Sequence, residues 1–272
     1  MPQQARRLAA HERAALMETA LRVAACDQGL LVRRSRHAAT YLVSGVLGGV
    51  EGDVFFKLFD APARAGRRLR RLLLGSPAAY VARLTRLLNE AGFAAPAVLL
   101  AGEERRTGRA LLATERVEAR ALAEWLAQAG PQRLALKRAV LRSLGSAVAR
   151  LHRLGFVHGD LTPYNVLLAC EAPARWVFID HERTLRLILV PRRLKLRNLV
   201  QLGRFELEGV TRCDRLRVFE AYARGLGRGR RRALLRRLLR MLDRRRRRDA
   251  AKRCAVQLAR RGSNVAADCA QG

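Results

Sequence analysis

The sequence predicts an α+β chain of two unequal lobes, a small antiparallel sheet lobe followed by a mostly helical lobe. Three observations carry this expectation. Runs of β-branched and aromatic residues concentrate before Glu115, apolar residues recur at helical spacing after it, and a polar cluster from His158 to Asn165 sits between a helical pattern and a short apolar run. The expected division is residues 1–29 as an N-terminal helical segment, 30–116 as the sheet lobe and 117–272 as the helical lobe.

Each element has a local reason. Residues 5–25 predict a helix with Leu8, Ala15, Leu16, Ala20, Leu21 and Val23 on a loose apolar face and no evident role. Tyr41-Leu42-Val43 and Val54-Phe55-Phe56-Lys57-Leu58-Phe59 predict strands, and the Gly-rich stretch Gly45 to Gly52 between them reads as a hairpin turn rather than a phosphate loop. Tyr80, Leu84 and Leu87 or Leu88 predict a helix over Ala78 to Glu90 that stops at Gly92. Two more strands follow, at Pro96 to Leu100 and Ala110 to Thr114. Beyond Glu115 the pattern is helical at Ala121 to Ala127 and Leu134 to Leu154, with Pro131 placed to precede the second helix, and only Asn165 to Leu168 and Trp176 to Ile179 resemble strands.

Composition narrows the function classes. The 272 residues carry 54 Lys plus Arg against 23 Asp plus Glu, a formal net charge of +31, and half are apolar, which excludes wholesale disorder and coiled-coil or collagen-like architecture. Lysine occurs only at Lys57, Lys137, Lys195 and Lys252, so 50 of the cations are arginines. Such a charge calls for an anionic partner surface: nucleic acid, acidic lipid headgroups or a phosphorylated substrate. Residues 191–272 hold 25 basic and 7 acidic residues; within them Leu234, Leu235, Leu238, Leu239 and Leu242 line one helical face ahead of the run Arg244 to Arg248. That helix has three readings: a solvated helix of the lobe, a membrane-interface helix, or a nucleic-acid contact, the last disfavoured by the absence of any recognised binding motif.

The five cysteines, Cys26, Cys170, Cys213, Cys254 and Cys269, are odd in number and never paired as CxxC, which predicts a reduced, cytoplasmic setting. No run approaches the roughly 18 to 20 apolar residues of a spanning helix, and charges interrupt Met1 to Cys26, so neither a transmembrane segment nor a signal peptide is expected.

The chemistry concentrates in His158-Gly159-Asp160-Leu161-Thr162-Pro163-Tyr164-Asn165 and, after an apolar run, Phe178-Ile179-Asp180. Phosphoryl transfer needs a carboxylate to accept a hydroxyl proton, hard oxygen ligands for Mg²⁺ and a cation on the nucleotide phosphates. Asp160 supplies the first; Asn165 and Asp180 supply the second. His158 reads as a structural residue of the loop, His181 is divided between touching substrate and orienting the loop, and no zinc site is arguable.

At this point the chain resembles the kinase-like superfamily, in the His-Gly-Asp-x-x-x-x-Asn form of small-molecule kinases; His181-Glu182 stands where protein kinases have Phe-Gly. It resembles more narrowly the lipopolysaccharide core kinases that phosphorylate Kdo or heptose, through His158 to Leu168, Phe178 to Thr184, and Arg197 to Leu202 with Thr211 to Tyr222. The resemblance runs from about Leu31 to about Tyr222. It implies a two-lobed protein-kinase-like fold using ATP and Mg²⁺, with Lys57 on the nucleotide phosphates. Glu115 and Val117 would reach adenine through connector backbone, and the phosphate-covering turn would lie near Arg33 to Thr40, where Arg33, Arg34, Arg36 and His37 face phosphates.

The acid that ordinarily pairs with such a lysine is not visible, since none occurs between Ala61 and Asn89 and only Glu90, near a helix end, remains. The resemblance further implies lipopolysaccharide core or a lipid A precursor as partner, an anionic membrane surface, and a peripheral place on the inner face of the cytoplasmic membrane. The competing readings are a kinase of soluble small molecules of the aminoglycoside or choline phosphotransferase kind, whose cationic substrates a +31 chain repels, and a non-catalytic kinase-like protein associated with nucleic acid.

Overall fold

The computed structural model describes residues 9–26, 30–35, 37–47, 50–61, 75–104 and 107–269; Leu8, Arg36, Gly48 and Gly49, singled out above, lie outside that set. The first half runs α1 (Ala10–Cys26), β1 (Leu30–Arg34), β2 (Ala38–Leu47), β3 (Val50–Phe59), α2 (Pro77–Glu90), β4 (Val98–Glu103) and β5 (Ala110–Glu115). The five strands form one antiparallel sheet in the order β1-β2-β3-β5-β4. The Gly-rich stretch is the β2–β3 hairpin, as its sequence predicts: Gly45 sits opposite Gly52 and both take positive φ.

Period two sends Val54, Phe56 and Leu58 to one face of β3, where they pack with Leu16, Ala20 and Val23 of α1. This gives α1 the role its sequence left open, as the cover of one sheet face. Phe56 is wholly buried there and contributes roughly 2 kcal/mol by burial. The opposite face packs Phe59, Ala38, Ala110 and Leu112 against Ala78 and Val81 of α2. Ser76 caps α2 by accepting from the Ala79 N–H, and Pro77 occupies its first turn.

The second half runs β6 (Arg120–Ala121), α3 (Leu122–Gln128), α4 (Leu134–Arg153), β7 (Phe156–Val157), β8 (Val166–Glu171), β9 (Ala174–Phe178), β10 (Leu185–Arg186), α5 (Arg192–Gly203), α6 (Arg212–Tyr222) and α7 (Arg228–Cys269). Its core gathers Trp125, Leu144, Leu151, Phe156, Phe178 and Leu196, and Leu84 and Leu88 of α2 with Phe93 just beyond its end join that same core. The two-residue strands β6, β7 and β10 exist only through pairing, with β8 or with each other, so no local pattern announces them.

Two features lock the helical part. Gly145 of α4 lies so close to α6 that an added Cβ would stand 2.2 Å from the Val218 carbonyl oxygen. Beside it, the buried Lys137 ammonium meets the buried Asp214 carboxylate at 2.8 Å, and Asp214 also closes a capping box with Thr211 at the start of α6. The leucine face of α7 is spent on this lobe too. Leu234 and Leu238 are buried, Leu235 and Leu242 pack beside them, and Gly203 of α5 faces Leu242; Leu239 alone of the five predicted leucines is exposed. A face packed into the lobe cannot also lie in a bilayer, so the helix-of-the-lobe reading of Leu234 to Leu242 holds.

Lys137→Met strands Asp214 as a buried carboxylate facing only Arg217 and its cap, and should lower unfolding free energy by about 3 kcal/mol in urea titrations. The double variant Lys137→Met/Asp214→Leu should lose less than that single change.

Candidate active site

The site is assembled where the sheet meets the loops flanking β8 and β9. Lys57 lies in β3, with Thr40 of β2 on one side and Leu112 of β5 on the other, so it belongs to an interior strand and not to a sheet edge. Its Nζ stands 3.2 Å from Asp180 Oδ1 and also contacts Glu182; the lysine and Asp180 side chains are 24 % and 26 % exposed. Burial by itself would lower the Lys57 pKa, but the carboxylates of Asp180 and Glu182 outweigh it and hold the ammonium above its ordinary value. Burial likewise acts to raise Asp180, and the charge and hydrogen bond of Lys57, with the charge of Arg33, overcome it and keep the acid ionised.

These contacts answer the question of the missing acid. Glu90 is exposed at the C-terminal end of α2, and the carboxylate beside Lys57 is that of Glu182, two residues after Asp180. Helix α2 instead holds the same loop through Tyr80, whose hydroxyl donates to the Thr184 carbonyl at 2.6 Å. Glu182 was legible only as a departure from the Phe-Gly of protein kinases, because its role depends on a fold that brings residue 57 to residue 182.

The loop itself is held from inside by neutral histidines. The His158 Nδ1 accepts from the Asp160 N–H at 3.2 Å, which puts its proton on Nε2, donating to the Ile179 carbonyl at 2.9 Å. One ring thereby fixes the backbone of Asp160 and the residue before Asp180. Burial lowers the His158 pKa despite both neighbouring acids, and both ring nitrogens are engaged with backbone. His181 is fully buried, donates to the Phe178 carbonyl at 2.8 Å, accepts from Thr184 Oγ1 and is pushed down to about 3 by burial. It orients the loop and is closed to substrate.

Asn165 and Asp180 emerge from the same end of the β8–β9 hairpin, whose last pair is Val166 with Phe178. The Asn165 amide nitrogen donates to the Asp160 carbonyl at 2.9 Å, and the Ile179 N–H donates to the Asn165 carbonyl at 3.1 Å. With its nitrogen so engaged, Asn165 has an amide oxygen to offer beside the Asp180 carboxylate, a donor set of hard oxygens that suits Mg²⁺. Among the described residues no group of three or more His, Cys, Asp or Glu forms a self-contained metal cage.

Helix α5 clamps the loop from below. Asn198 donates to the His158 carbonyl, and Gln201 and Arg197 both donate to the Gly159 carbonyl, at 2.9 and 3.1 Å. Gly159 has no room for a side chain, since a Cβ would stand 2.1 Å from Arg183. Asn198 also accepts from His152, whose other ring nitrogen accepts from the Tyr222 hydroxyl of α6. Beside Asp160, sequence reasoning missed an exposed aromatic step: Tyr164 meets Phe205 edge-on with ring centroids 5.6 Å apart.

The phosphate-covering turn expected near Arg33 to Thr40 is the tight β1–β2 turn, closed by Ser35, whose Oγ accepts from the His37 and Ala38 N–H groups. Arg33 is the residue there whose charge reaches Asp180; Arg34 turns its guanidinium to the Tyr41 hydroxyl instead. Glu115 and Val117 flank the connector, where Glu115 accepts from the Ala97 N–H and the Arg116 N–H donates to the Asp53 carbonyl. Both line a cleft of about 1020 Å³ with Asp53, Trp125 and Glu171, and that lining includes neither Lys57 nor Asp180.

With this geometry in place, comparison with known proteins is decisive. The sequence profile of the Lipopolysaccharide kinase (Kdo/WaaP) family matches residues 68–222. The chain belongs to that family. The matched span contains the loop from His158 to Asn165, Asp180, Glu182 and the α5 clamp, while Lys57 and Arg33 precede it. The solved structure of WaaP in complex with acyl carrier protein is similar over 89 % of this chain and 97 % of that one, at 24 % identity and a TM-score of 0.63, which shows a shared fold. The Mycobacterium tuberculosis PknI kinase domain matches over 71 % of this chain and 72 % of its own, at 19 % identity and a TM-score of 0.39. No curated protein matches the sequence significantly. The fold of this lipopolysaccharide kinase family member is therefore the two-lobed kinase-like fold that its sequence predicts.

The neutral histidines set a pH dependence. Burial pushes His152 down to about 4, with Lys195 adding to it against the Asn198 hydrogen bond, and His181 lies lower still. Unfolding returns both to about 6.5, so below that pH the unfolded chain binds protons the folded chain refuses. Stability is complete above the ordinary histidine value and is lost as pH falls toward the folded values. Urea midpoints should fall between pH 7 and pH 5, and His152→Gln should flatten part of that slope.

Proposed function

We propose that this protein transfers the γ-phosphoryl group of ATP to a sugar hydroxyl, of Kdo or a heptose, in the inner core of lipopolysaccharide at the inner face of the cytoplasmic membrane. The observation that carries the reading is the convergence of Lys57 on Asp180 at 3.2 Å across 123 residues of chain, beside a loop that presents Asp160 and Asn165. A lysine on nucleotide phosphates, a carboxylate base and two oxygen donors are the parts phosphoryl transfer requires.

Asp160 accepts the acceptor hydroxyl's proton as the oxygen attacks. Its position is set by backbone contacts, to His158 through its N–H and to Asn165 through its carbonyl, so the carboxylate is aimed without being consumed. Lys57 orients the nucleotide phosphates, and Glu182 keeps the ammonium in place. Asn165 and Asp180 would hold Mg²⁺, which when bound neutralises phosphate oxygens. Arg33 supplies further positive charge from above, and Glu115 and Val117 offer connector backbone to adenine. The exposed Tyr164, braced edge-on by Phe205, offers a contact for the acceptor sugar.

The nucleotide cleft on this reading lies between a lobe of residues 30–116, covered by α1, and a lobe of residues 117–272. The acceptor is lipopolysaccharide core or a lipid A precursor. No described helix is long and apolar enough to cross a membrane, and the arginine-rich surface supports peripheral binding to anionic lipid. The likeness to WaaP bound to acyl carrier protein supports that carrier as a second partner to be tested by pull-down.

Asp160→Asn should lower turnover by about 10² to 10⁴ and leave Mg-ATP affinity nearly intact, whereas Asp180→Ala should weaken Mg-ATP binding as well. Calorimetry with Mg-ATP beside phosphotransfer assays on purified core acceptors separates the two. Near-wild-type turnover in Asp160→Asn would reject the assignment of the base.

A further inference from the structure

The chain from Arg183 to Phe205 carries seven cations, Arg183, Arg186, Arg192, Arg193, Lys195, Arg197 and Arg204, and no acid. In its middle stand two neighbouring apolar side chains turned into solvent. Ile188 is fully exposed and Leu189 is 79 % exposed, with Leu185 and Leu154 partly exposed nearby. Single exposed apolar residues are ordinary on a protein surface, but adjoining ones on one projection mark a contact site.

The projection is built rather than loose. β10 pairs with β7, placing Leu185 opposite Val157 and Arg186 opposite Phe156, and the Leu187 N–H donates to the Gly155 carbonyl at 2.8 Å. Gly155 takes positive φ, and a Cβ there would stand 2.1 Å from the Leu187 carbonyl oxygen, so the two backbones touch. Arg186 lies over the Phe156 ring, and Val190 is buried where the chain turns into α5. Both feet are anchored while the tip itself is exposed.

The same ribbon carries the site. From Gly155 the chain passes through β7 to Asp160 in five residues, which spans at most roughly 17 Å even when fully extended. Whatever holds the tip therefore holds the base close to it.

We propose that Leu185 to Arg193 is a membrane-insertion wedge, Ile188 and Leu189 entering the acyl boundary of an anionic bilayer while Arg186, Arg192 and Arg193 meet its headgroups. The apolar tip fits hydrocarbon and the acid-free cationic rim fits anionic lipid, a pairing that neither a neutral bilayer nor a polar protein surface satisfies. The wedge takes over the apolar role that the buried leucine face of α7 cannot play. It rests on the lipopolysaccharide-kinase reading only for its purpose, that of holding a lipid-anchored sugar against Asp160; the docking itself stands on the geometry of the tip.

The test uses the full chain with phosphatidylcholine vesicles, with and without phosphatidylglycerol. Wild type should sediment with the anionic vesicles. Ile188→Gln/Leu189→Gln should weaken that binding on the order of a hundredfold, and Arg192→Gln/Arg193→Gln roughly fivefold per residue, with unchanged thermal unfolding because all four side chains are exposed. Ile188→Trp should shift its emission to the blue on anionic vesicles, against a steady background from the buried Trp125 and Trp176. Turnover on core sugar carried by lipid A in vesicles, divided by turnover on the same sugar released from lipid, should fall with vesicle binding. Vesicle binding that survives Ile188→Gln/Leu189→Gln, or an Ile188→Trp emission that vesicles leave unmoved, overturns the wedge. Wild type that phosphorylates neither sugar, together with an Ile188→Trp variant whose emission still shifts on anionic vesicles, overturns the kinase reading and leaves the wedge in place.

Discussion

The site depends on one half-buried cluster of charge, the Lys57 ammonium held by Asp180 and Glu182. In a chain of net charge +31, every carboxylate of a phosphoryl-transfer site is drawn toward surrounding arginines, and a carboxylate captured by one is lost to the chemistry. Partial burial strengthens the local pair, and Arg33 adds its charge to it without taking the carboxylate from Lys57. Lysine suits the place because a compact ammonium on a flexible stem fits between two acids and can also meet phosphate, where a planar guanidinium requires a fork-shaped partner. Two of the chain's four lysines, Lys57 and Lys137, are paired with acids in this way amid 50 arginines.

Around that cluster the loops are fixed by polar groups that carry no charge. His158 joins the backbone of Asp160 to that before Asp180, His181 closes the turn after Asp180, and Asn198 and Gln201 reach up from α5 to the carbonyls of His158 and Gly159. A buried polar network is stabilising only when its members are satisfied, and these histidines are satisfied in a single tautomer each. The result is an aspartate aimed by its own backbone, with its carboxylate available.

Surface charge and apolar contact are divided between different parts of the helical lobe. Leu234, Leu235, Leu238 and Leu242 of α7 serve the core while Arg244, Arg247 and Arg248 of the same helix are exposed, and the exposed apolar pair Ile188 and Leu189 sits on a ribbon leading directly to Asp160. Amphipathic patterning cannot distinguish a leucine stripe that faces a bilayer from one that faces α5, because both bury the same side chains away from water.

Local grammar determined much of the molecule. The β-branched and aromatic run of β3, the glycines of the β2–β3 hairpin, the helical spacing of Tyr80, Leu84 and Leu88, and the order of Lys57, Asp160, Asn165 and Asp180 were legible because each depends on neighbours within a few residues or on a fixed spacing. What stayed hidden was what long-range packing selects. The Glu182 partner of Lys57, the Tyr80 anchor, the cover that α1 lays on the sheet, the two-residue strands and the exposed tip at Ile188 each follow from segments far apart in the chain meeting in space. Hydrophobic pattern and spacing say which residues can be buried or can bind; only the tertiary structure decides which neighbours they acquire, because desolvation and hydrogen-bond geometry are properties of the assembled contact and not of either residue alone.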